Sequence, residues 1–236
     1  MYNDRDLEEF SNAYNLVKML KMYPEFNENT LDVTLNKGEA FFRKDAHRYC
    51  YLVKEGYFKV NAVTEQGKQF LLLVEGGHII FFPLYYSFVF NDLVATALEK
   101  AQCLRIESEF LKKVIALEDP HNHIALQYLT QVSRRFYSSL ALISLSSKQR
   151  IVYTLIALVD TFGRHTKASV IELPSFVNYD TIAEFARCSR SYTVSVLSKL
   201  RKQNVISSKK SGWTILNEKR LREEDHGQNN QLLWKK

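Results

Sequence analysis

The chain has 236 residues, of which 46% are hydrophobic and 25% charged, the proportions of an ordinary globular protein. Its 8 glycines, 4 prolines and 3 cysteines exclude collagen-like, disordered and disulfide-stapled chains. The formal net charge is +6, and it is unevenly distributed: residues 147–236 carry 16 basic and 8 acidic side chains, whereas residues 1–146 have a slight acidic excess. This asymmetry indicates a polyanion-binding module joined to something else.

The N-terminus is polar, and no apolar run approaches the roughly 20 residues of a membrane span, so we expect a cytoplasmic protein with no membrane partner. Cys50, Cys103 and Cys188 are widely separated and form no CxxC pair. We therefore expect reduced thiols and no cysteine-bound metal or other cofactor. Whether one of the three senses redox state depends on a pKa that sequence alone does not give.

The first 118 residues are predicted to form an N-terminal domain. Apolar residues at helical spacing predict an amphipathic helix over 6–23. From residue 30 the pattern becomes that of short strands separated by glycine-containing turns, which predicts an antiparallel sandwich or barrel. The strands are predicted at Leu31–Leu35, Tyr49–Val53, Tyr57–Val60, Gln69–Leu73, Val94–Leu98 and Gln102–Ile106.

A long helix is predicted over residues 119–146. Asp119 followed by Pro120 is typical of a helix start, with an N-cap oxygen and then proline in the first turn. The residues that follow step alternately by four and three, as in a heptad seam. The seam comprises Ala125, Leu129, Val132, Phe136, Ser139 and Ile143. We expect it to pair with a second copy in a homodimer; the alternative is packing onto its own domain.

Residues 147–236 are predicted to form a winged helix-turn-helix. An apolar helix over 148–161 is followed by two short helices, 179–186 and 190–203, with Ser189 as N-cap of the second. Two segments, 205–208 and 213–216, then form a hairpin with a basic turn. Two helices joined by a tight turn and followed by a hairpin are the pattern of this DNA-binding motif.

Basic residues are concentrated on this motif. From Arg187 to Arg222 there are ten basic residues and one acidic residue, Glu218. Because duplex DNA is bound largely through neutralised phosphates, this density predicts double-stranded DNA as the partner. The candidate DNA contacts are Arg187, Ser189, Arg190, Ser191, Ser195, Lys199, Lys209 and Lys210.

The segment CSRSYTVSVLSKL, residues 188–200, with NVIS at 204–207, resembles the recognition-helix segment of the Crp/Fnr bacterial transcription regulators. The glycines at 38, 56, 67 and 77 stand at turn positions of that family's cyclic-nucleotide-binding-like β-roll, and the helix from 119, with its Arg134-Arg135 pair, resembles the dimerisation helix. The resemblance implies an α+β chain: an N-terminal antiparallel β-roll, a long dimerisation helix and a C-terminal winged helix-turn-helix.

The resemblance also assigns roles on the recognition helix. Arg190 matches the arginine that reads guanine in the major groove. Ser191 and Ser195 stand where better-known members have glutamate and arginine, so the operator is expected to differ and to depend more on DNA shape. Arg187 stands where such turns usually have glycine, which implies strain or a phosphate contact.

The sensor pocket departs most from the family pattern. His78 replaces the ribose-binding glutamate, and no arginine lies between Arg48 and Arg105, so cyclic AMP is not expected as the ligand. The four-cysteine iron–sulfur motif is missing as well. The aromatic segment 81–90 predicts either core packing or a pocket for a non-nucleotide effector, as in the Gram-positive virulence regulators that this pocket resembles. The candidate pocket residues are His78, Phe81, Phe82, Tyr85 and Tyr86.

Together these features predict a homodimeric, sequence-specific transcription regulator on a pseudo-palindromic operator, with RNA polymerase as a further partner if it is an activator. No catalytic motif is found, so we do not expect an enzyme. One alternative is a small-molecule or thiol-redox sensor that acts mainly through protein partners. Another is a β-roll enzyme, which would require a bound metal.

Overall fold

The computed structural model describes residues 12–43, 48–65, 67–83, 92–166, 170–209 and 212–224. The chain divides into two compact units, residues 1–135 and 136–236. The division predicted at residues 118 and 146 stays a prediction. None of the helices in the described ranges is long and apolar enough to cross a bilayer.

Unit 1 combines helices with an antiparallel β-roll. Its helices are α1 (Ala13–Lys21), α2 (Phe26–Asn29), α3 (Ser108–Glu118) and α4 (His123–Ala141), the last of which continues into unit 2. Its strands are β1 (Thr30–Leu35), β2 (Ala40–Arg43), β3 (Tyr49–Glu55), β4 (Tyr57–Thr64), β5 (Gly67–Glu75), β6 (Ile79–Ile80), β7 (Leu93–Ala97) and β8 (Ala101–Glu107).

The strands form two four-stranded sheets with the orders β1-β8-β3-β6 and β2-β7-β4-β5. Every pairing within them is antiparallel, as predicted. Alternating side chains such as Val53, Phe58, Ala95 and Cys103 are buried in one core cluster. Gly56 lies at the β3–β4 turn with a φ of +94°, and a Cβ there would approach the Cβ of Ala101 to 2.7 Å, so only glycine fits.

The start of the long helix differs from the prediction. Asp119 ends α3, a helix that the sequence analysis missed, and Pro120 lies in the turn before α4. The Asp119 carboxylate still caps α4, because its Oδ2 accepts a hydrogen bond from the Ile124 N–H at 2.8 Å. Asp119 thus lies four residues before the first helical residue, His123, instead of directly before it as an N-cap would. The helix therefore begins at His123 and not at Pro120. Residues 6–11 of the predicted first helix lie outside the described residues.

Unit 2 contains the motif predicted for DNA binding. After a 3₁₀ turn (Leu142–Ser144) come α5 (Ser147–Phe162), β9 (Arg164–His165), β10 (Ile171–Glu172), α6 (Tyr179–Phe185), α7 (Arg190–Lys202), β11 (Ile206–Lys209), β12 (Gly212–Ile215) and α8 (Glu218–Glu223). The sheet order is β11-β12-β10-β9. Helix α5 begins with a capping box between Ser146 and Gln149, and its apolar residues are buried, as predicted.

Candidate nucleic-acid interface

The recognition helix α7 is held by its packing against α6. Ile182 and Ala186 on the α6 side and Leu197 on α7 are completely buried. At the turn, the Cys188 N–H donates to the Ala183 carbonyl at 2.9 Å. The Ser189 hydroxyl accepts a hydrogen bond from the Tyr192 N–H at 3.3 Å, so that α7 begins at Arg190. Small and apolar residues at the predicted crossing positions thus give α7 a defined orientation.

The turn between α6 and α7 has an unusual backbone. Arg187 adopts a φ of +51°, in the left-handed region that favours glycine. For a residue with a Cβ this conformation costs roughly 1–2 kcal/mol. The arginine side chain is exposed at the edge of the motif. The observed backbone therefore agrees with the expected strain, and the exposed charge can serve phosphate contact.

Substituting Arg187 separates these two effects. Arg187→Gly is expected to stabilise unit 2 by about 0.5–1 kcal/mol, because glycine relieves the left-handed strain at some cost in unfolded-state entropy. It should also weaken binding to all DNA sequences, because one cation is lost. Arg187→Ala is the matched control, since it removes the same charge but keeps the strain. Thermal unfolding and DNA titration measure the two effects, and equal unfolding midpoints for both variants would contradict the strain.

The predicted contact residues on α7 share one exposed face. Ser189, Arg190, Ser191, Ser195 and Lys199 are all exposed, whereas the opposite side of the helix is buried. Tyr192, which the sequence analysis did not select, is 42% exposed on the same first turn. The face carries two cations and no acidic group, which suits the major groove of DNA. Contact of these residues with bases stays a prediction.

Arg190 has a partner that the sequence analysis missed. Its Nε lies 2.7 Å from Oδ1 of Asp180 on α6, and both side chains are mostly exposed, at 64% and 69%. Exposed ion pairs of this kind contribute about 0–1 kcal/mol. The Arg190 guanidinium could therefore leave Asp180 for the edge of a guanine base at little cost in free energy. In the structure described here, Asp180 holds the guanidinium beside the start of α7.

A basic recess adjoins the start of α7. It has a volume of about 520 Å³. It is lined by Ser146, Ser147, Lys148, Arg150, Arg187, Cys188, Ser189 and Tyr192. The first turns of α5 and α7 both open into it, and three of its side chains are cationic. Helix N-termini and cations together favour a phosphate group.

The α5 residues of this recess were not among the predicted contacts. Arg150 donates from Nη2 to the Ser147 hydroxyl at 3.2 Å and reaches Cys188 Sγ at 3.8 Å, which ties the start of α5 to the turn before α7. The capping box at Ser146 is visible in the sequence as Ser-x-x-Gln. It marks a helix start, but only the fold brings that start beside α7.

Two of the ten basic residues between Arg187 and Arg222 bind other groups of the same domain. Arg222 is paired with Asp160 and Glu218, and the hydrogen bond that its guanidinium donates to Asp160 is the main reason why the pKa of Arg222 is raised. Arg220 donates from Nη1 to the Gln203 carbonyl at 3.2 Å. These two arginines therefore stabilise the domain, and counting all ten basic residues toward DNA contact overestimates the interface.

The wing is the β11–β12 hairpin. Ser208 pairs with Trp213 and Lys209 with Gly212 across the two strands. Trp213 is buried, with its ring edge-to-face with Tyr179 of α6 at 5.0 Å, which anchors the hairpin to the motif. Lys209 stands at the end of β11, while its side chain and the whole of Lys210 lie outside the described residues. Their phosphate contacts stay predictions.

Unit 1 contains an apolar cavity of about 140 Å³. Phe81 and Phe82 line it, as expected for the effector pocket, but His78 does not, and Tyr85 and Tyr86 fall outside the described residues. Arg43, from strand β2, also lines the cavity. No arginine lies between Arg48 and Arg105, as the sequence states, but strand β2 brings Arg43, which precedes that interval, to the wall of the cavity.

The three thiols are free, and two of them are deeply buried. Burial raises the pKa of Cys50 and of Cys103 to about 12, so neither is a thiolate near neutral pH. Cys188 is only partly buried. Iodoacetamide is therefore expected to modify Cys188 in the native protein, and the other two only after unfolding. Mass spectrometry of the labelled peptides measures this, and rapid native modification of Cys50 would contradict it.

Comparison with known proteins agrees with this geometry. Residues 149–224 match the Crp-like helix-turn-helix domain. The part of the chain that carries α5, α6, α7 and the wing is therefore a Crp-like helix-turn-helix domain. This match agrees with the winged helix-turn-helix predicted from the sequence. Among the described residues no three acidic, histidine or cysteine side chains are grouped as a metal site.

The chain is 26% identical over 182 residues to the lactate racemization regulatory protein of Lactiplantibacillus plantarum, covering 72% of this chain and 79% of that protein. A cyclic nucleotide-binding domain containing protein from Listeria monocytogenes EGD-e superposes with a TM-score of 0.72 at 20% identity, covering 86% and 97% of the two chains. FixK2 from Bradyrhizobium japonicum superposes with a TM-score of 0.70 at 16% identity, covering 85% of this chain and 99% of the FixK2 chain. The two solved structures confirm the predicted Crp/Fnr-like fold of the chain.

Proposed function

We propose that this regulator is a cytoplasmic homodimer that binds a pseudo-palindromic operator through two copies of α7 and responds to a non-nucleotide effector in unit 1. The observation that carries the proposal is the exposed, cationic face of α7 beside the basic recess. The face of α7 supplies contacts to the bases and the basic recess supplies contacts to the phosphates, and sequence-specific binding requires both kinds of contact. If the regulator activates transcription, RNA polymerase is its further partner.

Helix α4 supplies the dimer surface in this proposal. Ala125 packs against the core of unit 1 and Val132 lines the cavity, so these two residues of the predicted seam face their own domain. Leu126 and Leu129 lie beside these two residues on the helix surface and are 55% and 40% exposed. We therefore revise the seam toward Leu126, Leu129, Leu140 and Ile143, all of which are exposed. The side chains of Phe136 and Ser139 lie outside the described residues.

The cavity supports an effector smaller than a cyclic nucleotide. Its volume of about 140 Å³ lies below the roughly 300 Å³ at which pockets for drug-sized ligands begin. Its lining is mainly hydrocarbon, which suits neither a ribose nor a cyclic phosphate. Independence from cyclic AMP therefore remains part of the proposal, on the ground of size rather than of a missing guanidinium.

Selection of operator sequences from random oligonucleotides tests the function. The expected result is an inverted repeat whose half-sites are centred about 10–10.5 base pairs apart, one turn of the duplex. Binding to the selected site should weaken with salt, by a slope of about 0.9 for each phosphate neutralised. Failure to enrich any sequence would contradict the proposal and favour a sensor that acts through protein partners.

A further inference from the structure

Helix α8 is held firmly against α5. Its Leu221 is completely buried, and Asn217 caps the helix by accepting a hydrogen bond from a backbone N–H of the first turn at 2.9 Å. The Arg222 guanidinium pairs with Asp160 in the last turn of α5. Because these contacts fix the short helix, the residue at its C-terminal end, Glu224, has a defined position.

Glu224 forms an ion pair with a lysine at the other end of α5. The Lys148 Nζ donates a hydrogen bond to Glu224 Oε2 at 2.6 Å. The glutamate side chain is 21% exposed, whereas the lysine side chain is 52% exposed. A carboxylate with so little contact with water is destabilised more by the loss of its cation than an exposed one. The pair is therefore more persistent than that of Arg190 and Asp180, in which both side chains are mostly exposed.

Lys148 is also one of the three cations that line the basic recess beside α7. A lysine in this position suits a DNA phosphate, because its ammonium group attracts the negative charge. The ammonium group already donates to the Glu224 carboxylate, however, and that carboxylate repels a phosphate approaching the same place. Of the other two cations, Arg150 ties α5 to the turn before α7 through Ser147 and Cys188. The recess therefore attracts phosphate less strongly than three cations alone would.

We propose that Glu224 withholds Lys148 from DNA phosphate, so that α8 limits the number of phosphates that each copy of unit 2 contacts. The ion pair is a feature of unit 2 itself, whereas its competitor, a phosphate of duplex DNA, rests on the function proposed above. Because phosphate contacts supply the sequence-independent part of binding, the carboxylate lowers the affinity for every duplex and leaves the base preference to α7.

Glu224→Gln tests the proposal, because it keeps the size of the side chain and removes its charge. Affinity is expected to rise roughly 3- to 10-fold for each bound half-site, on the selected operator and on random duplex alike. The slope of log affinity against log salt should steepen by about 0.9 for each half-site, the value for one more neutralised phosphate. Titrations between about 50 and 200 mM salt measure both quantities.

Ethylation interference gives a second readout, because it identifies the individual phosphates that a protein contacts. The Glu224→Gln footprint should contain one additional phosphate in each half-site. Lys148→Met in the Glu224→Gln background should remove that phosphate from the footprint and return the salt slope to its original value. In the unaltered chain, Lys148→Met should leave the footprint unchanged.

Glu223→Gln is the matched control, since it removes the same charge from the exposed neighbouring residue of α8. It should change neither the salt slope nor the footprint. Thermal unfolding checks that each variant is folded.

Three results would overturn the proposal. These are an unchanged salt slope in Glu224→Gln, an equal effect of Glu223→Gln, and a phosphate that depends on Lys148 in the footprint of the unaltered chain. If an operator is bound specifically and any of the three is found, this inference fails and the DNA-binding function stands. If neither the unaltered chain nor any variant binds duplex DNA, the function and the inference both fail.

Discussion

Arg190→Ala is expected to weaken binding to the selected operator by about 1–3 kcal/mol, or roughly 5- to 150-fold, while binding to random DNA changes little. Arg190 stands at the first position of α7, on the exposed face, and its long side chain can pair with both acceptors of a guanine edge. The serines at 191 and 195 have short side chains, so the loss of Arg190 removes most of the direct base reading on this face.

The matched control is Arg201→Ala, which removes the same charge from the last turn of α7. It should affect operator and random DNA alike, if it affects either. Competition titrations with the operator, with single-base variants and with random duplex measure the difference. Equal losses on operator and random DNA for Arg190→Ala would show that Arg190 contacts phosphate only.

The ion pair with Asp180 adds a second arm to this experiment. Because both partners are exposed, Asp180→Ala should leave the stability of unit 2 nearly unchanged. If Asp180 only holds Arg190 beside the start of α7, its loss will change operator affinity without changing which base is preferred. A changed base preference would instead show that Asp180 itself reads the DNA.

The largest effect is expected from the double variant Leu126→Asp and Leu129→Asp, which should dissociate the dimer. Each buried leucine contributes about 1.5–3 kcal/mol, and each substitution counts twice in a two-fold assembly. The dissociation constant of the dimer should therefore rise by roughly a thousandfold or more. Both residues are exposed in the single chain, so the folded monomer should survive.

Sedimentation equilibrium measures the oligomeric state of this variant. Leu117→Asp is the matched control, because Leu117 is a 61% exposed leucine on α3, outside α4. The control should stay dimeric, and the double variant should also lose affinity for the full operator, because a monomer reaches only one half-site. A double variant that stays dimeric would assign the interface to another surface.

Several features followed from local sequence rules. Ser189 as N-cap, glycine at tight turns such as Gly56, and the alternation of buried residues in the strands each depend on a few neighbouring residues. Such signals predicted α7, the six main strands and the hairpin to within a few residues. The resemblance of the α7 segment to Crp/Fnr regulators then pointed to the fold of the whole chain.

Other features could not be read from local patterns. The Asp119–Pro120 pair looks like a helix start, yet Asp119 both ends α3 and caps α4 through a longer turn. A heptad pattern cannot show which side of α4 is already covered, and the β-roll covers Ala125 and Val132. Leu129, which the predicted seam includes, is exposed beside them, whereas Leu126, which the seam omits, was found only after the packing was known.

The sequence by itself determined the fold class of the protein, an α+β chain with a basic winged helix-turn-helix, because helix caps, strand alternation and clustered charge act over short distances along the chain. The tertiary structure decided which groups meet. Arg43 lies at the end of β2, 85 positions before Tyr128, yet both line one cavity. Asp180 and Arg190, and the starts of α5 and α7, are likewise joined only by packing. Binding sites depend on such distant pairs, since a ligand or a phosphate responds to distance in space and not to separation in sequence.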